Sequence, residues 1–221
     1  MSIPDGLLSD SHYILFSLLY ILIMAFVGYY TPWYRLRYIQ FRNVFFGAVI
    51  GLIVLWNVAA GSFPGLNFHF LGIMLVTLMF RWQYAIWLLS LAIFSEIFTG
   101  QIDLKVFAMN AFLFAVVPVY IANLIYKLVD RWLPDHFFVY IYGAGFFGSA
   151  FIAFFVLLET SLFLLGMDVY SWHILVHDYL RYSPMMMFAE GFITGMLITL
   201  LVVFKPEWVL TFSDQKYLQG K

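Results

Sequence analysis

The chain has 221 residues, of which 64% are hydrophobic, 22% aromatic and only 10% charged, with a formal net charge of −1. Soluble domains carry roughly 25% charged residues, so this composition cannot supply a polar surface and reads as an integral membrane protein. With no cysteine, disulfides and thiolate metal sites are excluded.

The chain opens on "MSIPDG", a polar tip with no basic residue, and the first cation is Arg35, after the first apolar run. A cleaved signal peptide normally begins with a basic region, so the starting amine is expected to stay on the protein. Long unbroken apolar runs follow, which argue for helices rather than alternating strands. They predict an all-α membrane bundle of about seven helices: 12–30, 43–60, 67–80, 84–98, 106–126, 138–165 and 184–204. The third and fourth are short, and only Arg81-Trp82-Gln83 divides them.

Charge separates the two ways of reading that pair, because cytoplasmic loops collect Lys and Arg. Seven helices with the N-terminus outside and the C-terminus inside put nine cations on the inner side and two, Lys105 and Arg181, on the outer side. Fusing the third and fourth helices gives five against five and leaves Arg81 in lipid, at a cost of about 3 kcal/mol. The seven-helix reading follows, as a single membrane domain over 1–221. Small residues recur at packing spacing: Gly47 with Gly51, Ala144 with Gly148, Gly191 with Gly195. They suit either close helix contacts within the bundle or a docking face for a partner.

On this topology His12, His69, His173 and His177 fall at the outer face, and Glu96, Glu159 and Glu190 lie within about two turns of it. Intramembrane acids are costly and mark function, and imidazoles gathered with carboxylates suit a divalent cation. The plain alternative is that each histidine is solvated or hydrogen-bonded. His173 and His177 share a helical face at i, i+4, in a segment whose Trp and Tyr also suit an interfacial anchor. "PMMMF" at 184–188 offers thioethers to a soft ion or simply fills space. There is no phosphate loop, no dinucleotide turn and no nucleophile–base pair, so an enzyme is not expected. Any ATP hydrolysis would fall to other subunits.

Four stretches, "MSIPDGLLS", "FHFLGIMLVTLMFRWQYAIW", "VFAMNAFLFAVVP" and "EGFITGMLITLLVVFKPEWV", resemble, in order, the cobalt/nickel-binding permease component of energy-coupling factor ABC transporters. The resemblance implies a substrate-capturing subunit of the bacterial cytoplasmic membrane. It would work with a transmembrane coupling protein and cytoplasmic ATPases, and carry no prosthetic group. Its substrate would be a transition metal, cobalt or nickel, with copper and zinc as further candidates. The resemblance also implies that the tip folds into the outer mouth, shaped by Pro4 and Gly6 with Asp5 as a hydrogen-bonding anchor. There the Met1 amine, the second backbone nitrogen, the residue-2 imidazole and a later histidine would hold the ion. Met1 and His69 match that ligand set, whereas position two is Ser2, a far weaker donor. His12, His173 and His177 are the candidate replacements. Two other readings stand beside this one: a scaffold of the same fold that has lost the ion, and a permease for a small organic solute lined by aromatics.

Overall fold

The computed structural model of the protein describes residues 2–57 and 65–217. Six stretches among them are helices long and apolar enough to cross a membrane. Helix α1 spans Asp10–Tyr30 and α2 Ile39–Trp56. Helix α3 spans Ile73–Phe98, α4 Leu104–Trp132 and α5 Phe137–Gly166. A short α6 (Trp172–Asp178) leads into α7 (Ser183–Phe204), and α8 (Asp214–Tyr217) ends the described chain. Helix α1, at 21 residues, is about 32 Å long, close to the roughly 30 Å hydrocarbon core.

The seventh crossing is inside α3. Arg81 has φ 64° and ψ 167°, a region that residues with a Cβ rarely occupy, and it breaks α3 into segments 73–80 and 82–98. Leu71 and Gly72 meet Glu190, near the start of α7. Leu78 and Met79 meet residues 210 and 211, beyond its far end. Glu96 is back beside Ser2. The chain therefore runs from one face of the bundle to the other and returns, turning at Arg81. We call these the tip face, which holds the N-terminal tip, and the tail face, which holds the C-terminal tail. The cation that interrupts the apolar run marks the turn, as the sequence predicted.

The predicted third helix, 67–80, is shorter than expected, since regular helix starts only at Ile73. Gly72 sits at φ 68°, and the residues before it run extended into the bundle. Its backbone angle favours glycine there, and a Cβ, 2.8 Å from Leu52 Cδ2, would also have to displace that methyl. The segment 73–80 is buried on every side, as expected of a helix that is apolar all round. Phe80 and Tyr84 flank the turn and pack on Phe41 at 5.9 and 4.9 Å.

The C-terminal tail caps that short helix. A helix end leaves its last carbonyls unpaired. Leu210 N–H donates to Met79 O at 2.9 Å, and Thr211 N–H and Oγ1 donate to Leu78 O at 3.3 and 2.6 Å. Because the Thr211 hydroxyl proton goes to Leu78, the buried Tyr140 hydroxyl donates to Thr211 Oγ1 at 2.7 Å. Farther along, Lys216 Nζ and Tyr217 OH both donate to Asp130 at 2.5 Å. That carboxylate raises the Lys216 ammonium above its ordinary value. Thr211→Val keeps the volume and removes the shared hydroxyl. We expect it to destabilise the purified protein by about 2 kcal/mol, read as a lower unfolding midpoint. An unchanged midpoint would remove the tail from the account of how the turn is held.

Small-residue pairs divide between the two uses considered for them. A Cβ on Gly191 would lie 3.2 Å from Phe146 O, and one on Gly195 3.4 Å from Phe146 Cβ, so this pair lets α5 and α7 approach closely. At Gly148 the neighbour is Met74 Cε, at 3.1 Å. Gly47 and Gly51 meet nothing within 4 Å and face an open groove.

Candidate metal-capture site

The tip is sewn into the bundle by one asparagine. Ile3 N–H donates to Asn110 Oδ1 at 2.7 Å, and Asn110 Nδ2 donates back to Ile3 O at 2.9 Å and to Val106 O at 3.0 Å. Both Asn110 and Ile3 are fully buried. An amide side chain can accept from the N–H and donate to the C=O of one residue at once. It thus makes an extended residue tolerable in an apolar bundle, where an unpaired backbone group is expensive. Pro4 and Ile3 lie against Gly65, and Gly6 turns the chain at φ 86°. Asp5, expected to anchor the tip, is exposed instead; Asn110 provides the anchor. Lys105 pairs with Asp10 across this mouth, an exposed pair worth little.

Ser2, next to the clamp, is buried, and its side chain interacts with that of Glu96. Glu96 is itself buried, and its Oε2 has no hydrogen-bond partner among the described residues. Met1, the expected amine ligand, lies outside the described residues.

His69 is 7% exposed, four residues after the Gly65 that the tip packs on. Its ring lies 5.0 Å from that of Trp56. Nδ1 is 3.1 Å from Phe70 O. A carbonyl oxygen only accepts, so Nδ1 carries the proton and Nε2 presents a bare lone pair. That Nε2 is buried with no partner among the described residues, as is Trp56 Nε1. An imidazole held through one nitrogen by a backbone carbonyl, with the other left free, is the arrangement of a metal ligand.

Glu190 holds the stretch that carries His69. Its carboxylate accepts from the N–H groups of Leu71 and Gly72, the latter at 3.4 Å. This satisfies donors at the start of the 73–80 segment, which a helix leaves free. Glu190, read from sequence as an intramembrane acid of possible ion-binding use, is thus a positioning residue. Glu190→Ala leaves two buried donors unpaired and loosens His69, so metal affinity is expected to fall 10- to 100-fold, as for other supports of a ligand. Titration calorimetry checks this, and an unchanged affinity would separate Glu190 from the site.

The remaining candidates lie elsewhere. His12, half-buried at the head of α1, bonds Ser9 Oγ at 2.6 Å. His173 and His177 are exposed on α6 with ring centroids 4.4 Å apart, the i, i+4 pairing expected from their spacing. Glu159, in α5, keeps a buried oxygen without a partner. Among the described residues no three His, Cys, Asp or Glu side chains gather into a metal-holding group. Side chains alone therefore do not complete a coordination shell there. A shell around His69 would need donors beyond these side chains. Asn110 carried a readable signal, a lone amide in an apolar run; Trp56 carried none.

Comparison with known proteins gives the same direction. The model of the CbiM family, the cobalt uptake substrate-specific transmembrane region, matches residues 2–208. No curated protein matches the chain. Two solved structures share the fold at 16% sequence identity. One, a truncated transition metal transporter, covers 92% of this chain and 99% of its own, with a TM-score of 0.73. The other, a transition metal transporter, covers 91% and 92%, with a TM-score of 0.70.

Proposed function

Because the chain belongs to the CbiM family of cobalt uptake substrate-specific transmembrane regions, we propose that the anchored tip and His69 together form its ion-capture site. The bare, buried Nε2 of His69 carries this reading. The ion would be bound by His69 Nε2, the Met1 amine and the backbone nitrogen of Ser2. Ser2 cannot supply the imidazole of its relatives. Glu96, beside it with an unpartnered oxygen, fills that role with an anionic oxygen. A set with one oxygen in place of an imidazole suits cobalt(II) or zinc(II) better than the square-planar nickel(II) or copper(II) that four nitrogens favour. A scaffold without an ion would leave no use for the buried free donors of His69 and Glu96.

The tip face is the outer one in this proposal. Arg81 and Lys216 lie on the tail face, which suits the cation-rich cytoplasmic side. The subunit would sit in the cytoplasmic membrane. A coupling protein and cytoplasmic ATPases would drive reorientation and release, since no nucleotide motif is present in the chain. Calorimetric titration with Co(II), Zn(II), Ni(II) and Cu(II) tests the donor set. We expect cobalt to bind and Glu96→Gln to weaken it about tenfold, or roughly 1.4 kcal/mol. Binding indifferent to residue 96 would assign Glu96 no part in capture.

A further inference from the structure

On the tail-face half of the molecule, an apolar groove of about 460 Å³ runs between α2, the 73–80 segment and α7. Its floor is open where Gly47 and Gly51 lack side chains, and its walls include Leu52, Leu75 and Leu201. It ends on Trp208. Trp208 and Val44 also line a second, more polar cavity of about 230 Å³ that contains Arg35, Gln40 and Glu207. The indole Nε1 of Trp208 is buried and finds no acceptor among the described residues. An apolar slot, a donor without a partner and a pocket bearing both charge signs thus lie in a row.

The dimensions point to one occupant. The α2 residues of the groove run from Asn43 to Leu55, about 18 Å of helix, close to the roughly 15 Å of one bilayer leaflet. A membrane helix, about 10–12 Å across, would enter this slot with one face only and leave most of its body outside. A single acyl chain suits it. The polar cavity asks for a headgroup with two charges. Arg35 suits a phosphate. Glu207, whose own cation Lys205 is 3.9 Å away and exposed, suits a primary ammonium.

We propose that this groove binds one phospholipid with a primary-amine headgroup, its acyl chain along Gly47 and Gly51, an ester carbonyl on Trp208, and its headgroup between Arg35 and Glu207. A lipid held there would splint α2 to the tail-face end of α7. Phosphatidylglycerol offers Glu207 no cation, and the quaternary ammonium of phosphatidylcholine offers it no N–H.

Native mass spectrometry of the full chain in detergent, with equal amounts of phosphatidylethanolamine, phosphatidylglycerol and phosphatidylcholine, tests the assignment. Retained phosphatidylethanolamine is expected to exceed each of the others at least tenfold. It should fall about tenfold in Arg35→Gln, in Trp208→Phe and in Gly51→Leu; the last adds a side chain where a Cβ meets only open space. Equal retention of the three lipids would overturn the proposal. So would retention unchanged in all three variants. If Gly51→Leu blocks association with a coupling protein while lipid retention stays as in wild type, the groove is a helix-docking face and the lipid assignment fails.

Discussion

Alanine in place of His69 is expected to lower affinity for cobalt by at least about 100-fold, roughly 2.7 kcal/mol, while leaving the fold intact. The ring is buried and packs on Trp56, but its contacts with the chain are few: Nδ1 to the adjacent Phe70 carbonyl and the indole at 5.0 Å. Its second nitrogen contributes nothing to folding, since it has no partner. Losing the ring removes a ligand and frees only the part-buried Phe70 carbonyl, so binding falls far more than stability. A His69→Ala protein that retained wild-type affinity would rule the imidazole out of the site. Cobalt titration beside thermal unfolding distinguishes the two effects.

The second large effect is at Asn110. Asn110→Ala leaves the N–H and carbonyl of Ile3 unpaired inside the bundle and removes the bond to Val106. Buried groups left this way cost 1–3 kcal/mol each, so the tip is expected to leave the bundle rather than remain unpaired. His69 is unaltered in this variant, yet the nitrogen donors brought by the tip are lost. Cobalt affinity should therefore fall about 100-fold, and the tip should become accessible to protease or to amine-reactive label. If the label still failed to reach the tip while affinity stayed normal, the clamp would not be what presents it. Asn110 touches no proposed ligand side chain. An effect of this size on binding would show that the backbone of the tip, and not only the chemistry of residue 2, is part of the site.

Particular residues show what was legible in the sequence. Arg81 marked the turn inside α3 because a cation in an apolar run is costly in lipid, and a single residue carries that signal. The spacing of Gly191 and Gly195 announced a close helix contact, and α5 supplies it through Phe146. The extended stretch before Ile73 was not legible. "LNFHFLG" holds no proline to break a helix, and what stops helix there is Gly72 at positive φ and a carboxylate from Glu190, 118 residues away. The capping of Leu78 and Met79 by the tail was hidden for the same reason, since a pairing between distant residues leaves no local pattern. The resemblance implied Asp5 as a hydrogen-bonding residue, but depth decides that role, and only the fold shows Asn110 buried and Asp5 exposed. Resemblance directed attention to Ser2 as the departure from the family, and the structure adds Glu96 as the group beside it.

X-ray absorption on the cobalt-loaded protein tests the central claim most directly, comparing wild type with a variant carrying His12→Ala, His173→Ala and His177→Ala together. The account predicts one imidazole in the metal shell of both proteins, since His69 Nε2 provides it and the three substituted histidines do not. A wild-type shell without imidazole, or one whose imidazole disappears in the triple variant, would contradict it.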